Sequence, residues 1–247
     1  MPANDVLIEP RRLPGDPLID HPIIFNLFDP YMEFLRRELK VKKSALKKNR
    51  FPSTVYLTTK VGRKKISVFG TPLGAPHAVI MLERLIAMGA QKIFTLGCCG
   101  SLQTYLPIGS FVIPLTALSE EGTSPHYPLP KTAVAAADAQ VVNICLAKCA
   151  EKNIKPVSGK VWTTDALFRE TREKVKKYSQ HNLLAVEMEM SALFTVAAYR
   201  RVQLGGLMVV SDELATLKWK TGFLRPLFWM NSQKAARVAI ETCLALA

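Results

Sequence analysis

The sequence has no apolar run near the roughly 20 residues that a membrane-spanning helix needs. It also has no periodic repeat and no low-complexity tract. Its first residues carry acids and prolines where a secretory signal would have an apolar segment. We therefore expect a cytoplasmic protein with no membrane partner.

Cysteine is scarce, with five in 247 residues, and the odd number argues against a disulfide framework. Cys98 and Cys99 are adjacent, Cys145 and Cys149 lie one helical turn apart, and Cys243 stands alone. No further ligands complete a metal site, so we expect reduced thiols and no metal. For the Cys98–Cys99 pair, small residues filling a tight turn are a better interpretation than a nucleophile, because no partner base is evident.

Acidic residues are outnumbered, with 20 Asp and Glu against 33 Lys and Arg, which gives a formal net charge of +13. Arg36–Lys65 contains twelve of the basic residues and one acid, Glu38. Such a stretch is a candidate nucleic-acid surface. It lacks a nucleic-acid motif and has few aromatics that stack on bases, so we favour a solvated basic surface without a nucleic-acid partner.

Strand-like apolar runs alternate with helical patterns along most of the chain, and 49% of the residues are hydrophobic. This alternation predicts a single α/β domain over residues 21–247, with helices on both sides of a central mixed sheet. Residues 1–20, rich in proline, predict an extended arm. A helix is expected to follow Asp29, its N-cap, and to continue toward Lys48. Lys92–Leu96 is expected to be a buried strand that ends in a turn at Gly97–Ser101.

Three acids follow apolar runs in the stretch from Leu183 to Leu214. Glu187 and Glu189 come after the first run, and Asp212 comes after the second. Carboxylates rarely occupy such positions without a partner. Two strands that end in carboxylates, with a helix between them, predict a ligand site at the C-terminal edge of the sheet. The simpler alternatives are that Glu187 caps a helix or pairs with a basic neighbour, and that Asp212 is an N-cap.

Three segments resemble the purine/uridine nucleoside phosphorylase superfamily, which includes hydrolytic nucleosidases. They are VEMEMSA at Val186–Ala192, VVSDEL at Val209–Leu214, and a pair of Gly-rich turns around a helix and a strand at Gly70–Leu102. The segments come in the family's order, and the resemblance covers nearly the whole chain from His21. It implies a partly barrel-like sheet, a nucleoside substrate and a role in purine salvage. It also implies a dimer or hexamer, and no cofactor beyond inorganic phosphate as a co-substrate.

The resemblance assigns the sugar to Glu189 and Met188. Cleavage of a ribosyl C–N bond passes through an oxocarbenium-like state, and hydrogen bonds to the 2-hydroxyl strengthen in that state. A carboxylate such as that of Glu189 can accept protons from two hydroxyls at once.

The resemblance assigns the base to Asp212, Ser211 and Phe168. Asp212 would be the general acid for a leaving purine, because a shielded carboxyl can hold a proton near neutral pH. Phe168, or Leu167 beside it, would stack on the base. An ordinary core aromatic is the alternative for Phe168.

The phosphate half departs from the family pattern. Where the family has a Gly and two Arg anchors, this chain has Phe28, Met32 and Thr95. Water as the acceptor and a nucleoside-binding protein without turnover therefore stay open beside phosphorolysis.

The remaining phosphate contacts that the resemblance implies are Gly97, Cys98 and Arg50. Backbone N–H groups around Gly97 and Cys98 can bind an anion. Arg50 would match an arginine that reaches in from a neighbouring subunit.

Overall fold

The computed structural model describes residues 6–48 and 55–247, which form ten strands and six α-helices. The strands are β1 Ile23–Asn26, β2 Lys47–Lys48, β3 Val55–Val61, β4 Lys64–Gly70, β5 Lys92–Ser101, β6 Phe111–Glu120, β7 Val157–Thr164, β8 Ala185–Glu187, β9 Gln203–Glu213 and β10 Lys220–Thr221. The helices are α1 Asp29–Glu38, α2 Ala75–Ala87, α3 Ala139–Glu151, α4 Arg172–Gln180, α5 Met190–Arg200 and α6 Pro226–Leu246.

The described strands form one mixed sheet in the order β10-β9-β6-β7-β8-β5-β1-β4-β3-β2. An additional pairing of β9 with β5 closes β5, β8, β7, β6 and β9 into a five-stranded barrel. The long strand β5 runs parallel to both β1 and β9 and antiparallel to β8, so it belongs to the barrel and to the open part of the sheet. The predicted α/β fold with a partly barrel-like sheet is confirmed.

Helices cover both faces of the sheet because its central strands are apolar on both faces. Alternate residues of a strand point to opposite sides. Ile23 and Phe25 of β1 therefore pack with helices α2 and α5, whereas Ile24 faces the core formed with α1, α3 and α6. This arrangement buries β1 and β5 and leaves their C-terminal ends to form a site.

The turn predicted at Gly97–Ser101 is wrong, because β5 continues through Ser101. β9 keeps pairing with Gly97, Cys98 and Cys99, and a bulge at Cys99/Gly100 then bends the strand. β8 takes up the other side of β5 from Gly100 onward. The small residues serve a bend in the barrel wall instead of a loop.

Helix α1 is shorter than predicted and begins differently. Its N-cap is Phe28, and Asp29 is the first helical residue instead of the cap. The helix ends at Glu38, because Lys40 adopts a left-handed conformation with φ of 53° that a helix cannot continue through.

Part of the basic stretch is paired within the chain. Arg36 and Arg37 both bind Glu33, and these bonds hold the pKa of the Glu33 carboxyl at about 2. Lys65 pairs with Asp20 over 3.4 Å. Glu33 is thus an ion-pairing residue of a helix surface and a poor base for activating water.

The arm preceding β1 is described from Val6 onward and contains no helix or strand. It packs on α2: the N–H of Ile19 donates to the carbonyl of Met88 over 2.8 Å, and Asp16 pairs with Arg84. Within residues 6–48 and 55–247, none of the helices has the length and apolarity needed to cross a membrane.

Candidate active site

Glu187, the last residue of β8, is buried and organises the start of α5. Its Oε2 accepts hydrogen bonds from the N–H groups of Glu189 over 2.6 Å and Met190 over 2.7 Å. The hydroxyl of Thr163 donates to its Oε1. The capping expectation therefore fits the structure, whereas no basic side chain pairs with Glu187 in the described chain. Burial raises the pKa of this carboxyl despite the three donors.

Because Glu187 takes over the capping, the side chain of Glu189 is turned toward the Gly-rich turn before α2. The N–H of Gly74 donates to Oε1 of Glu189 over 2.7 Å, which leaves Oε2 for a ligand hydroxyl. Burial raises the pKa of the Glu189 carboxyl, and the negative charge of Glu187 raises it further. Met188 lies between the two glutamates and is half-buried. Two of the predicted segments thus meet at Glu189.

Asp212 lies near the end of β9, where two neutral donors face its carboxylate. Its Oδ1 is 2.7 Å from Oγ of Ser211, and its Oδ2 accepts from Nε1 of Trp219 over 3.0 Å. Burial raises the pKa of Asp212, and these two bonds lower it by less. The Ser211 hydroxyl also reaches the carbonyl of Cys99 over 3.2 Å. It can therefore donate to ionised Asp212, or accept from protonated Asp212 while donating to that carbonyl.

Trp219 is the contact of Asp212 that the sequence reasoning missed. The short strand β10 pairs antiparallel with the end of β9, with Thr221 opposite Asp212, so the residue before β10 returns over the carboxylate. The available signal was a tryptophan in the segment LKWKTG, which begins two residues after the SDEL segment. Gly100 leaves the space that Asp212 uses, because a Cβ there would lie 3.0 Å from Oδ2.

Phe168 lies in a short 3-10 turn after β7 and is 96% exposed. The interpretation of Phe168 as a core aromatic is therefore wrong. Its stacking on a base stays a prediction, and the same holds for Leu167, which is 51% exposed.

The acceptor half of the site has no charged group at the three replaced positions. Phe28 packs against the rings of Tyr31 and Trp229, with centroids 5.0 Å and 6.2 Å away, and Met32 belongs to the same core. Thr95 is buried, and its Oγ1 donates to the carbonyl of Gly205 over 3.3 Å. None of the three presents a group that could replace a guanidinium.

The polar groups of the acceptor half are the backbone groups beside Gly97 and Cys98 and the side chain of Asn26. β1 ends at Asn26, opposite Leu96, so the side of β5 that faced β1 has no strand partner at Gly97, Cys98 and Cys99. Asn26 is fully buried, and its Nδ2 has no hydrogen-bond partner among the described residues. Burial raises the pKa of the Cys98 thiol to about 12, which argues against a nucleophilic thiolate. Arg50 lies outside the described residues.

The site as a whole is acidic and sheltered, without a bound counter-charge. Glu187, Glu189 and Asp212 form no hydrogen bond or ion pair with a Lys or Arg anywhere in residues 6–48 and 55–247. The same ranges hold no cluster of His, Cys, Asp and Glu suited to a metal ion. Such a site suits a neutral polar ligand with hydroxyls at Glu189 and a proton acceptor at Asp212.

Replacing Thr163 with valine should destabilise the fold measurably. Its hydroxyl donates to Glu187 and accepts from the N–H of Ser191 over 2.9 Å, so valine leaves two buried polar groups unpaired. We expect a loss of about 3 kcal/mol in the free energy of unfolding, measured by urea denaturation. Thr163→Ser keeps the hydroxyl and should lose only about 1 kcal/mol for its methyl group. Equal stabilities of the two variants would contradict this role.

Comparisons with known proteins show which family and fold the chain resembles. A family model described as the phosphorylase superfamily matches residues 28–245. A protein named purine nucleoside phosphorylase DeoD-type, from Brevibacillus brevis, is 31% identical over 155 residues. That match covers 62% of this chain and 66% of the relative, so the chain spans just under two thirds of the relative's length.

Two solved structures share the fold at low sequence identity. Uridine phosphorylase from Vibrio fischeri has a TM-score of 0.78 at 20% identity, over 92% of this chain and 93% of that one. AMP nucleosidase from Bacteroides thetaiotaomicron has a TM-score of 0.73 at 18% identity, over 92% and 90%. The fold therefore occurs in proteins named for different bases and for different reactions.

Proposed function

Because the chain belongs to the phosphorylase superfamily, we propose that it cleaves the N-glycosidic bond of a nucleoside, purine preferred, and transfers the ribosyl group to inorganic phosphate. The observation that carries the proposal is the position of Glu189 and Asp212 at the ends of the two strands that flank Gly100 of β5, where Gly100 pairs with Val186 of β8 on one side and with Asp212 of β9 on the other. The name of the Brevibacillus brevis relative supports the purine preference.

In this mechanism Glu189 holds the ribose hydroxyls, and Met188 lies against the sugar. Partial positive charge develops on the sugar as the C–N bond breaks, and the hydrogen bond from the 2-hydroxyl to Glu189 strengthens. The bonding electron pair passes into the imidazole ring of the base, whose other nitrogen takes a proton from Asp212. An oxygen of phosphate then bonds to the anomeric carbon. Ser211 and Trp219 hold Asp212 in place throughout.

Hydrolysis is the second candidate, with water instead of phosphate as the acceptor. The observation that favours it is that the positions of the family's phosphate anchors hold Phe28 and Met32, packed in an apolar core, and Thr95, bonded to the carbonyl of Gly205. A neutral water needs no guanidinium, and the amide of Asn26 and the backbone beside Gly97 can position one. The TM-score of 0.73 shows that this fold also occurs in a protein named AMP nucleosidase.

Product analysis separates the candidates. The protein is incubated with inosine and guanosine, with and without inorganic phosphate, and the sugar product is identified. We expect ribose 1-phosphate and a rate that rises with phosphate concentration. Free ribose at a rate independent of phosphate would instead establish hydrolysis. Bound nucleoside without any product would establish a binding protein.

We also propose a homo-oligomer in which Arg50 of one subunit supplies the missing cation to its neighbour's phosphate. Light scattering should give at least a dimer, and a symmetric dimer or hexamer fits the proposal. Arg50→Ala should raise the KM for phosphate more than the KM for nucleoside. A monomer at assay concentration would remove this role.

All five cysteines are free, which supports a reducing, cytoplasmic location.

A further inference from the structure

Asn26 is a polar side chain on an apolar face of the sheet. It ends β1 and points to the same side as Ile24, because alternate residues of a strand share a face. Ile24 packs in the core formed with α1, α3 and α6, and Met32 of the acceptor half belongs to the same core. Asn26 itself is fully buried. Its amide therefore lies among apolar side chains at the acceptor end of the site.

The two ends of this amide differ in what they contact. Oδ1 accepts from the N–H of Phe28 over 3.4 Å, which identifies it as the oxygen and supports the turn into α1. Nδ2 has no hydrogen-bond partner within residues 6–48 and 55–247. A buried donor without a partner costs free energy, and so buried donors in folded proteins are almost always bonded. β1 thus holds in place a donor that contributes no bond to the fold.

The backbone around Nδ2 is open toward the candidate site. Gly70 ends β4 beside Asn26, and a Cβ there would lie 3.0 Å from Nδ2, so the glycine keeps this space free of a side chain. On the side that faced β1, β5 has no strand partner at residues 97–99. The turn that follows Gly70 leads to Gly74, whose N–H donates to Glu189 over 2.7 Å. Nδ2 therefore lies between the unpaired edge of β5 and the turn that contacts the proposed sugar residue.

We infer that Asn26 binds the acceptor of the proposed reaction, with Nδ2 donating a hydrogen bond to an oxygen of that acceptor. This inference rests on the proposed function. Asn26 stands at none of the family's anchor positions, which hold Phe28, Met32 and Thr95 here. An oxygen of inorganic phosphate and the oxygen of water both accept from an amide N–H. The amide keeps its protons, and the acceptor oxygen supplies the electron pair of the new C–O bond.

Asn26→Leu separates this role from a structural one. Leucine has a similar size and no donor, so the variant should keep or exceed the urea midpoint of the wild type, because an unpaired buried donor is removed. With phosphate as the acceptor, the KM for phosphate should rise about 30-fold while the KM for nucleoside stays the same. With water as the acceptor, kcat should fall about 30-fold at an unchanged KM.

Two further variants serve as controls. Asn26→Asp keeps an oxygen for the N–H of Phe28 but replaces the donor with an acceptor, so it should also weaken phosphate binding. Ser232→Ala removes a buried hydroxyl that donates to the carbonyl of Phe228 over 2.7 Å. This variant should lower the urea midpoint and leave the KM for phosphate unchanged, which is the reverse of the result expected for Asn26→Leu.

Calorimetry with inorganic phosphate measures acceptor binding separately from turnover. Phosphate binding that is lost in Asn26→Leu supports the inference even if no nucleoside is cleaved, in which case only the proposed function fails. Cleavage by a folded Asn26→Leu variant with unchanged kcat and unchanged KM for phosphate overturns the inference alone. A loss of stability in Asn26→Leu like that in Ser232→Ala also overturns it, because the amide then serves the fold. A wild type that neither binds phosphate nor cleaves a nucleoside overturns both.

Discussion

Replacing Asp212 with asparagine should lower kcat for purine nucleoside cleavage by about 1,000-fold. Asparagine keeps the shape of the side chain and can still meet Ser211 and Trp219, but it cannot deliver a proton to the leaving base. Initial rates with inosine, followed through release of the base, measure the loss. The effect should shrink for a nucleoside whose base leaves readily without protonation, because the acid then contributes little.

The matched control is Asp138→Asn. Asp138 is the N-cap of α3, where its carboxylate accepts from the N–H of Val141 over 3.1 Å. Asparagine caps as well as aspartate does, so this variant should keep both stability and activity. Undiminished turnover of inosine by the Asp212→Asn variant would remove Asp212 from the mechanism.

The second large effect is expected at Glu189. Glu189→Gln keeps an oxygen for the N–H of Gly74 and so preserves the fold around the turn. It removes the negative charge that stabilises the sugar in the transition state. We expect a loss of about 3 kcal/mol in transition-state binding, which is about 160-fold in kcat/KM for a ribonucleoside.

A 2′-deoxynucleoside provides the control within the same experiment. It lacks the hydroxyl whose bond to Glu189 strengthens as the C–N bond breaks, so the loss should be several-fold smaller for the deoxy substrate. The comparison is a double-mutant cycle with one change in the protein and one in the ligand. Equal losses for both substrates would show that Glu189 acts on something other than the 2-hydroxyl.

The strand-end positions of the proposed sugar and base residues were predictable from sequence because each group is consecutive in the chain. Glu187, Met188 and Glu189 follow one strand, and Ser211 and Asp212 end another, so local spacing already places them at one edge of the sheet. The separate roles of these residues were only partly predictable from the sequence. The burial of Glu187 without a basic partner follows from the three donors around it, of which the Thr163 hydroxyl comes from a distant segment.

The acceptor half and the loop contacts depend on tertiary pairing that the sequence does not display. Gly97 and Cys98 were expected in a turn, but β9 pairs with both residues, and β8 pairs with the strand further on at Gly100 and Ser101. Trp219 reaches Asp212 only because β10 folds back on β9. Phe168 was expected from its family-like position to stack on a base or to pack in the core, but its side chain is almost fully exposed in this chain.

A crystal structure with bound guanosine and phosphate, or a slowly cleaved analogue, tests the central claim most directly. The account predicts ribose hydroxyls within hydrogen-bond distance of Glu189, the imidazole edge of the purine at Asp212, and the acceptor beside Gly97 and Cys98. A nucleoside bound away from Glu189 and Asp212, or with its base turned from Asp212, would contradict it.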